Sequence, residues 1–117
     1  MVLHYRVAIA SSNGDDVDMH FGRADDFYIY QYLVDEWIFV EKRSLNPVCR
    51  GGYHLESQMT DNVERLTDCQ YVVASRIGAG AIAQLQAKNI IPMALPGDIQ
   101  DALDKIYSYH EIKRLFE

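Results

Sequence analysis

Apolar and polar positions change rhythm several times along the chain, and each change predicts an element. Tyr5 to Ala10, "YRVAIA", is a short, partly β-branched apolar run closed by Ser, Asn and Gly, which predicts a buried central strand ending in a turn. After a polar loop from Ser11 to Ala24, "FYIYQYLV" and "WIFVEKR" are rich in aromatic and β-branched residues, with Asp35 and Glu36 between them. That is the signature of a hairpin. From Ser44 the period stops: "SLNPVCRGGYH" holds a proline, two glycines and no regular spacing, and predicts a loop.

Leu55, Met59, Val63 and Leu66 then recur at helical spacing, and "YVVAS" (Tyr71 to Ser75) predicts another buried strand. "GAGAIAQLQAKN" reads as a helix opened by glycines, with Asn89 at its C-terminal cap. "IIPMAL" predicts an edge strand, because Pro92 has no amide hydrogen for a ladder. Asp98 caps a last helix whose inner face carries Ile99, Ala102, Leu103, Ile106 and His110. Two strand-helix-strand crossovers imply parallel pairing of the first, fourth and fifth strands, with the hairpin adding antiparallel partners on one side. The expectation is a three-layer α/β sandwich with a mixed five-stranded sheet and helices on both faces.

The 117 residues are one domain's length, and 49% of them are apolar, enough for a core without metal or disulfide staples. No internal repeat or linker divides residues 1–117. A net charge of -6, with basic residues scattered, argues against nucleic acid or an anionic membrane as partner. No apolar run approaches membrane-spanning length and no secretion signal opens the chain, so a soluble, cytoplasmic protein is expected. In that compartment Cys49 and Cys69 read as free thiols or ligands rather than a disulfide.

In an open α/β sheet, ligands collect beyond the carboxyl ends of the parallel strands, where the loops after Ala10 and Ser75 should meet. The first loop contains "DMHFGRADDF" and supplies His20 and Arg23; the second supplies Arg76 and the amides of a helix N-terminus. Both suit an anion. Gly78 and Gly80 equally suit tight packing of helix on strand, His20 a hydrogen-bonded structural role, and Arg23 an ion pair with Asp25 or Asp26. Cys49 and His54, spaced by "RGGY", offer a thiolate and an imidazole suited to iron or an iron-sulfur cluster. Two ligands do not close a tetrahedral site. Cys69, beside a buried strand, reads as core; Asp15, Asp16 and Asp18 could chelate a hard cation, although such a run in a loop is usually only solvated, and their placement in one loop is unsuited to two-metal catalysis. There is no phosphate-binding glycine-lysine loop, dinucleotide fingerprint, nucleophile elbow or pair of CxxC motifs.

"VAIASSNGDDVDMHFGRADDFYIY", followed by "LTDCQYVVASRIGAGAIAQLQAKNIIPM", resembles the dinitrogenase iron-molybdenum cofactor biosynthesis family, the group of NifX, the cofactor-binding domain of NafY and the C-terminal domain of NifB. The HFGR tetrapeptide and the strand-end "SRIGAG" preceded by "DC" are its specific parts. The resemblance implies a ribonuclease-H-like fold and a non-enzymatic protein that transiently carries, stores or hands over an iron-sulfur or iron-molybdenum cluster. It implies cofactor-assembly proteins or apo-dinitrogenase as partners, and leaves a homodimer open. His20 would then face the cluster, with Gly22, Arg23, Arg76, Gly78 and Gly80 completing the cofactor-binding positions. Cys49 and His54 would join His20 as metal ligands from a variable loop. Ala79 replaces the family's usual proline, no glycine- and histidine-rich segment is present, and the radical-enzyme cysteine motif of larger NifB proteins is missing. Synthesis of a precursor cluster is therefore not implied. The competing reading is a regulatory or interaction module that binds a small anion or a partner protein through the same cleft.

Overall fold

The computed structural model describes residues 4–45, 49–50, 53–54 and 56–116. Its elements in chain order are β1 (His4–Ala10), β2 (Asp16–Val17), a 3-10 turn (Phe21–Arg23), β3 (Asp26–Leu33), β4 (Glu36–Ser44), β5 (Cys49–Arg50), β6 (Tyr53–His54), α1 (Glu56–Glu64), β7 (Tyr71–Ala74), α2 (Ala79–Ala87), β8 (Ile91–Ala94), β9 (Gly97–Asp98) and α3 (Ile99–Arg114). Five strands form the main sheet in the order β4-β3-β1-β7-β8. β1, β7 and β8 are parallel, while β3 is antiparallel to both β1 and β4. The expected mixed sheet and parallel trio are present, and β8 with Pro92 lies at an edge.

Alternation along β1 divides the core into two layers. Ala8 and Ala10 face α1 and α2, where Met59, Val63, Ala81 and Leu85 complete a buried cluster with Phe27 and Ile29. Tyr5, Val7 and Ile9 face α3 and meet Ile99, Ala102, Leu103 and Ile106. Small residues thus lie under two helices and large ones under one.

Helix ends follow their sequence signals. The Asp98 carboxylate accepts from the Asp101 amide at 3.2 Å. At the end of α2, Asn89 takes φ +61°, with Asn89 N donating to Gln86 O at 3.0 Å and Ile90 N to Leu85 O at 2.9 Å. This double closure satisfies the last carbonyls, and Ile90 and Leu85 are both buried. Met59, Val63 and Leu66 are buried as their spacing predicts, whereas Leu55 lies outside the described residues.

Three expectations need correction. The hairpin turn is Val34–Asp35 rather than Asp35–Glu36, because Leu33 pairs with Glu36 and so draws Glu36 into β4. Val34 and Asp35 take φ +55° and +143°, so the two-residue geometry overrides valine's preference for a strand. The loop after β1 is not irregular throughout: β2 pairs with β9, and His20 opens the 3-10 turn. In the unpatterned stretch after Ser44, β5 and β6 form a two-stranded ribbon. Two-residue strands carry no period to detect.

Candidate functional site

The carboxyl ends of β1, β7 and β8 gather the loops that matter. After β1, the loop is built from its own side chains. Ser11 is fully buried and its hydroxyl accepts from Gly14 N at 2.9 Å, while Asn13 Oδ1 accepts from the amides of Asp15 and Asp16 at 2.8 and 2.9 Å. Asp18 accepts from the Ser12 amide at 2.8 Å and from the Ser12 hydroxyl, and those bonds hold its carboxyl below the usual range. Asp16 accepts from Asn13 Nδ2 at 3.0 Å. Asp16 and Asp18 are therefore parts of the loop's scaffold, which removes them from a shared cation site. The "SSN" turn chemistry was the available signal for this scaffold.

The same loop is then stitched to the one after β7. Ser75 N donates to Met19 O and Phe21 N donates to Arg76 O, both at 2.9 Å, and His20 and Arg76 form a parallel bridge between them. Phe21 anchors the tetrapeptide: it is buried and packs edge-on against Phe27 with ring centroids 5.6 Å apart. His20 and Arg23 flank this anchor with exposed side chains, and Arg76 is exposed as well. Gly22 lies in the 3-10 turn between Phe21 and Arg23, half-buried. One rim thus carries an imidazole and two guanidiniums.

Beyond Arg76 the chain enters α2 with Gly78 as N-cap. A Cβ built on Gly78 or on Gly80 would meet nothing within 4 Å. Tight packing is therefore not the reason for either glycine. The first turn of α2 instead presents unobstructed backbone on the same loop as Arg76, where amides and helix dipole favour negative charge.

Cys49 and His54 stand directly opposite each other as Cα partners across the β5–β6 ribbon, and β5 runs beside the Phe21–Arg23 turn. The backbone thus brings the Cys49 segment next to the HFGR segment; the side chains of Cys49 and His54 lie outside the described residues. Among the described residues, no three His, Cys, Asp or Glu side chains converge. Cys69 is elsewhere: it is 1% exposed in the α1/α2 core, and burial, with the Asp68 carboxylate beside it, pushes its thiol up to about 12. It stays a protonated core residue, as its position predicts.

A family model described as dinitrogenase iron-molybdenum cofactor matches residues 4–109. The chain belongs to that family. It is 39% identical over 93 residues to the FeMo cofactor biosynthesis protein NifB of Klebsiella pneumoniae, covering 74% of this chain and 19% of that one. To the NifX protein of a Sinorhizobium fredii strain it is 33% identical over 106 residues, covering 86% and 66%. The chain thus spans about a fifth of the NifB relatives' length and about two thirds of NifX. A Methanocaldococcus jannaschii crystal structure described as a candidate dinitrogenase shares the fold with a TM-score of 0.59 at 16% identity, over 94% of this chain and 93% of that one. A Thermotoga NMR structure of a candidate NifB protein does so with a TM-score of 0.56 at 24% identity, over 89% and 88%. This chain's HFGR and SRIGAG segments are the two that the backbone stitches together. Among the described residues, no helix is long and apolar enough to cross a membrane.

Proposed function

We propose that this domain is a carrier in nitrogenase cofactor assembly, binding an iron-sulfur or iron-molybdenum cluster at the rim formed by His20, Gly22, Arg23, Arg76, Gly78 and Gly80. The observation that carries the proposal is the pair of backbone hydrogen bonds that places His20 beside Arg76, next to the open first turn of α2. A cluster of this type is anionic. Guanidiniums and free amides retain it by charge-assisted contacts, while His20 supplies a ligand nitrogen. Cys49 and His54, on the ribbon beside the turn, are the further ligands in this reading. Few covalent bonds to a solvent-facing rim suit transient binding and hand-over to an assembly protein or apo-dinitrogenase. No nucleophile or general base is needed for that role.

A second reading has its own support. The exposed guanidiniums of Arg23 and Arg76 and the open first turn of α2 would also serve a small metal-free anion in a regulatory module. Anaerobic titration with precursor cluster, followed by gel filtration and iron and molybdenum analysis, separates the two. Retention by the parent chain and loss in His20→Ala supports the carrier. No retention by either, together with phosphate binding that needs Arg76, supports the metal-free module.

A further inference from the structure

Asn13 and Gly14 form the chain's only Asn-Gly pair, and that dipeptide carries a reaction of its own. The Gly14 amide nitrogen attacks the Asn13 side-chain carbonyl carbon, a C–N bond forms, and the amide proton leaves with the side-chain nitrogen as ammonia. Water then opens the five-membered ring to aspartate or isoaspartate. Glycine favours ring closure because no Cβ hinders the attacking nitrogen. Asn13 is exposed on the loop after β1, so only the loop's own bonds stand between it and this reaction.

Those bonds occupy every atom that ring closure needs. The nitrogen that would attack, Gly14 N, donates its proton to the buried Ser11 hydroxyl at 2.9 Å. The carbon that would be attacked is held through both of its polar substituents: Asn13 Oδ1 accepts from the Asp15 and Asp16 amides at 2.8 and 2.9 Å, and Nδ2 donates to Asp16 Oδ2 at 3.0 Å. Gly14 takes φ +83°, and a Cβ there would lie 2.9 Å from Tyr28 Cε2, so the tyrosine ring covers the turn. Cyclisation requires the loop to open first. Afterwards the loop cannot close as before. An aspartate at position 13 has lost the Nδ2 donor and sets a carboxylate against Asp16, which already stands opposite Asp98 across the β2–β9 ribbon. An isoaspartate routes the main chain through the former side chain and so also moves Gly14 N away from Ser11. The same turn supplies Asp15 O, the acceptor for Ile99 N at 2.9 Å, so its opening also frees the start of α3. We infer that Asn13 is a site of spontaneous, one-way modification, which the folded loop withholds from deamidation and which, once modified, keeps the loop from re-forming. The inference concerns the loop that leads into His20 and is independent of what the rim binds.

The test follows Asn13 in the intact chain at neutral pH by peptide mass mapping, with and without denaturing guanidinium chloride. The folded chain should deamidate about tenfold more slowly than the unfolded one, the protection expected of a group released only by local opening. Ser11→Ala removes the acceptor of Gly14 N and should raise the rate in the folded chain while leaving the rate in denaturant unchanged. Asn13→Asp, one of the two products, should unfold at a lower guanidinium concentration than the parent. Asn13→Asp with Asp16→Asn returns one donor and one acceptor to the pair and should recover that loss. Equal rates in the folded and unfolded parent overturn the inference, as does a folded Ser11→Ala chain that deamidates no faster than the parent. So does an Asn13→Asp chain as stable as the parent, or one that the second substitution fails to rescue. Asn13 and Asp16 are both exposed, so these two variants remain readable even if Ser11→Ala does not fold.

Discussion

The two ends of the central strands are built on opposite plans. At the amino end, Tyr5 stacks on His110 with centroids 3.7 Å apart and on Tyr32 at 5.4 Å, and meets Trp37 edge-on at 5.4 Å. Tyr71 closes the cluster with a 2.6 Å hydrogen bond between its hydroxyl and His110 Nδ1. At the carboxyl end, apart from the Phe21 anchor, the rim residues His20, Arg23, Arg76, Gly78 and Gly80 all face solvent. Packing holds one end together and backbone hydrogen bonds hold the other. The lesson is a division of labour: side chains at the carboxyl end are free to serve a ligand because stability is supplied elsewhere.

The largest break in that division is Tyr71→Ala. It removes a ring that is 1% exposed, along with the His110 hydrogen bond and edge contacts to Tyr5 and Tyr109. Urea unfolding should show a loss of about 4 kcal/mol, in the range of large aromatic truncations. His20→Ala and Arg76→Ala, measured the same way, should each stay within about 0.5 kcal/mol, as exposed substitutions do. A rim variant as damaging as Tyr71→Ala would show that the two ends are not divided as described.

A smaller effect tests the polar clamp near the amino end. Asp68 accepts from Arg43 at 2.9 and 3.1 Å and from Arg6 at 2.9 Å, linking β4 and β1 to the residue before Cys69. The Arg43 hydrogen bonds are the largest cause holding its carboxyl down to about 2. The unfolded chain takes up this proton near pH 4, so between about pH 4 and pH 2 the unfolded state binds more protons and stability falls as the pH falls. With 41% of the side chain exposed, solvent screening limits the contribution to about 1 kcal/mol. Asp68→Asn should lose that amount at pH 7 and flatten the acid limb below pH 4. An unchanged acid limb would place the acid sensitivity in other carboxylates.

The same contrast explains what could be read before any coordinates. Elements at the packed end have a period: Tyr5, Val7 and Ile9 alternate, and Ile99, Ala102, Leu103 and Ile106 keep helical spacing, so strands, helices and their inner faces were legible. Elements at the rim do not. The β2–β9 and β5–β6 ribbons are two residues per strand and depend on pairings far apart in sequence. Val34 takes φ +55° because the two-residue connection demands it, against its own propensity. HFGR and SRIGAG were legible as motifs and as neighbouring loops. Their joining through Met19, His20, Phe21, Ser75 and Arg76 was not, since it uses backbone atoms that every residue has.

The finest test of the comparison is one methyl group. Gly80 lies in the first turn of α2, and a Cβ there meets nothing within 4 Å. If stability alone governed this position, alanine would be the better residue, since glycine in a helix carries a backbone-entropy penalty. Gly80→Ala should therefore stabilise the fold by up to about 0.5 kcal/mol in urea unfolding, opposite in sign to the losses expected of Tyr71→Ala and Asp68→Asn. The same methyl would stand over the α2 amides that the rim offers an anion, so retention of cluster after gel filtration should fall while stability rises. A variant that gains stability and retains cluster like the parent would mean that the ligand does not approach this turn, leaving His20 and the two arginines as the contacts. A variant that loses both would mean that Gly80 serves the fold, and the division between the two ends would not extend to α2.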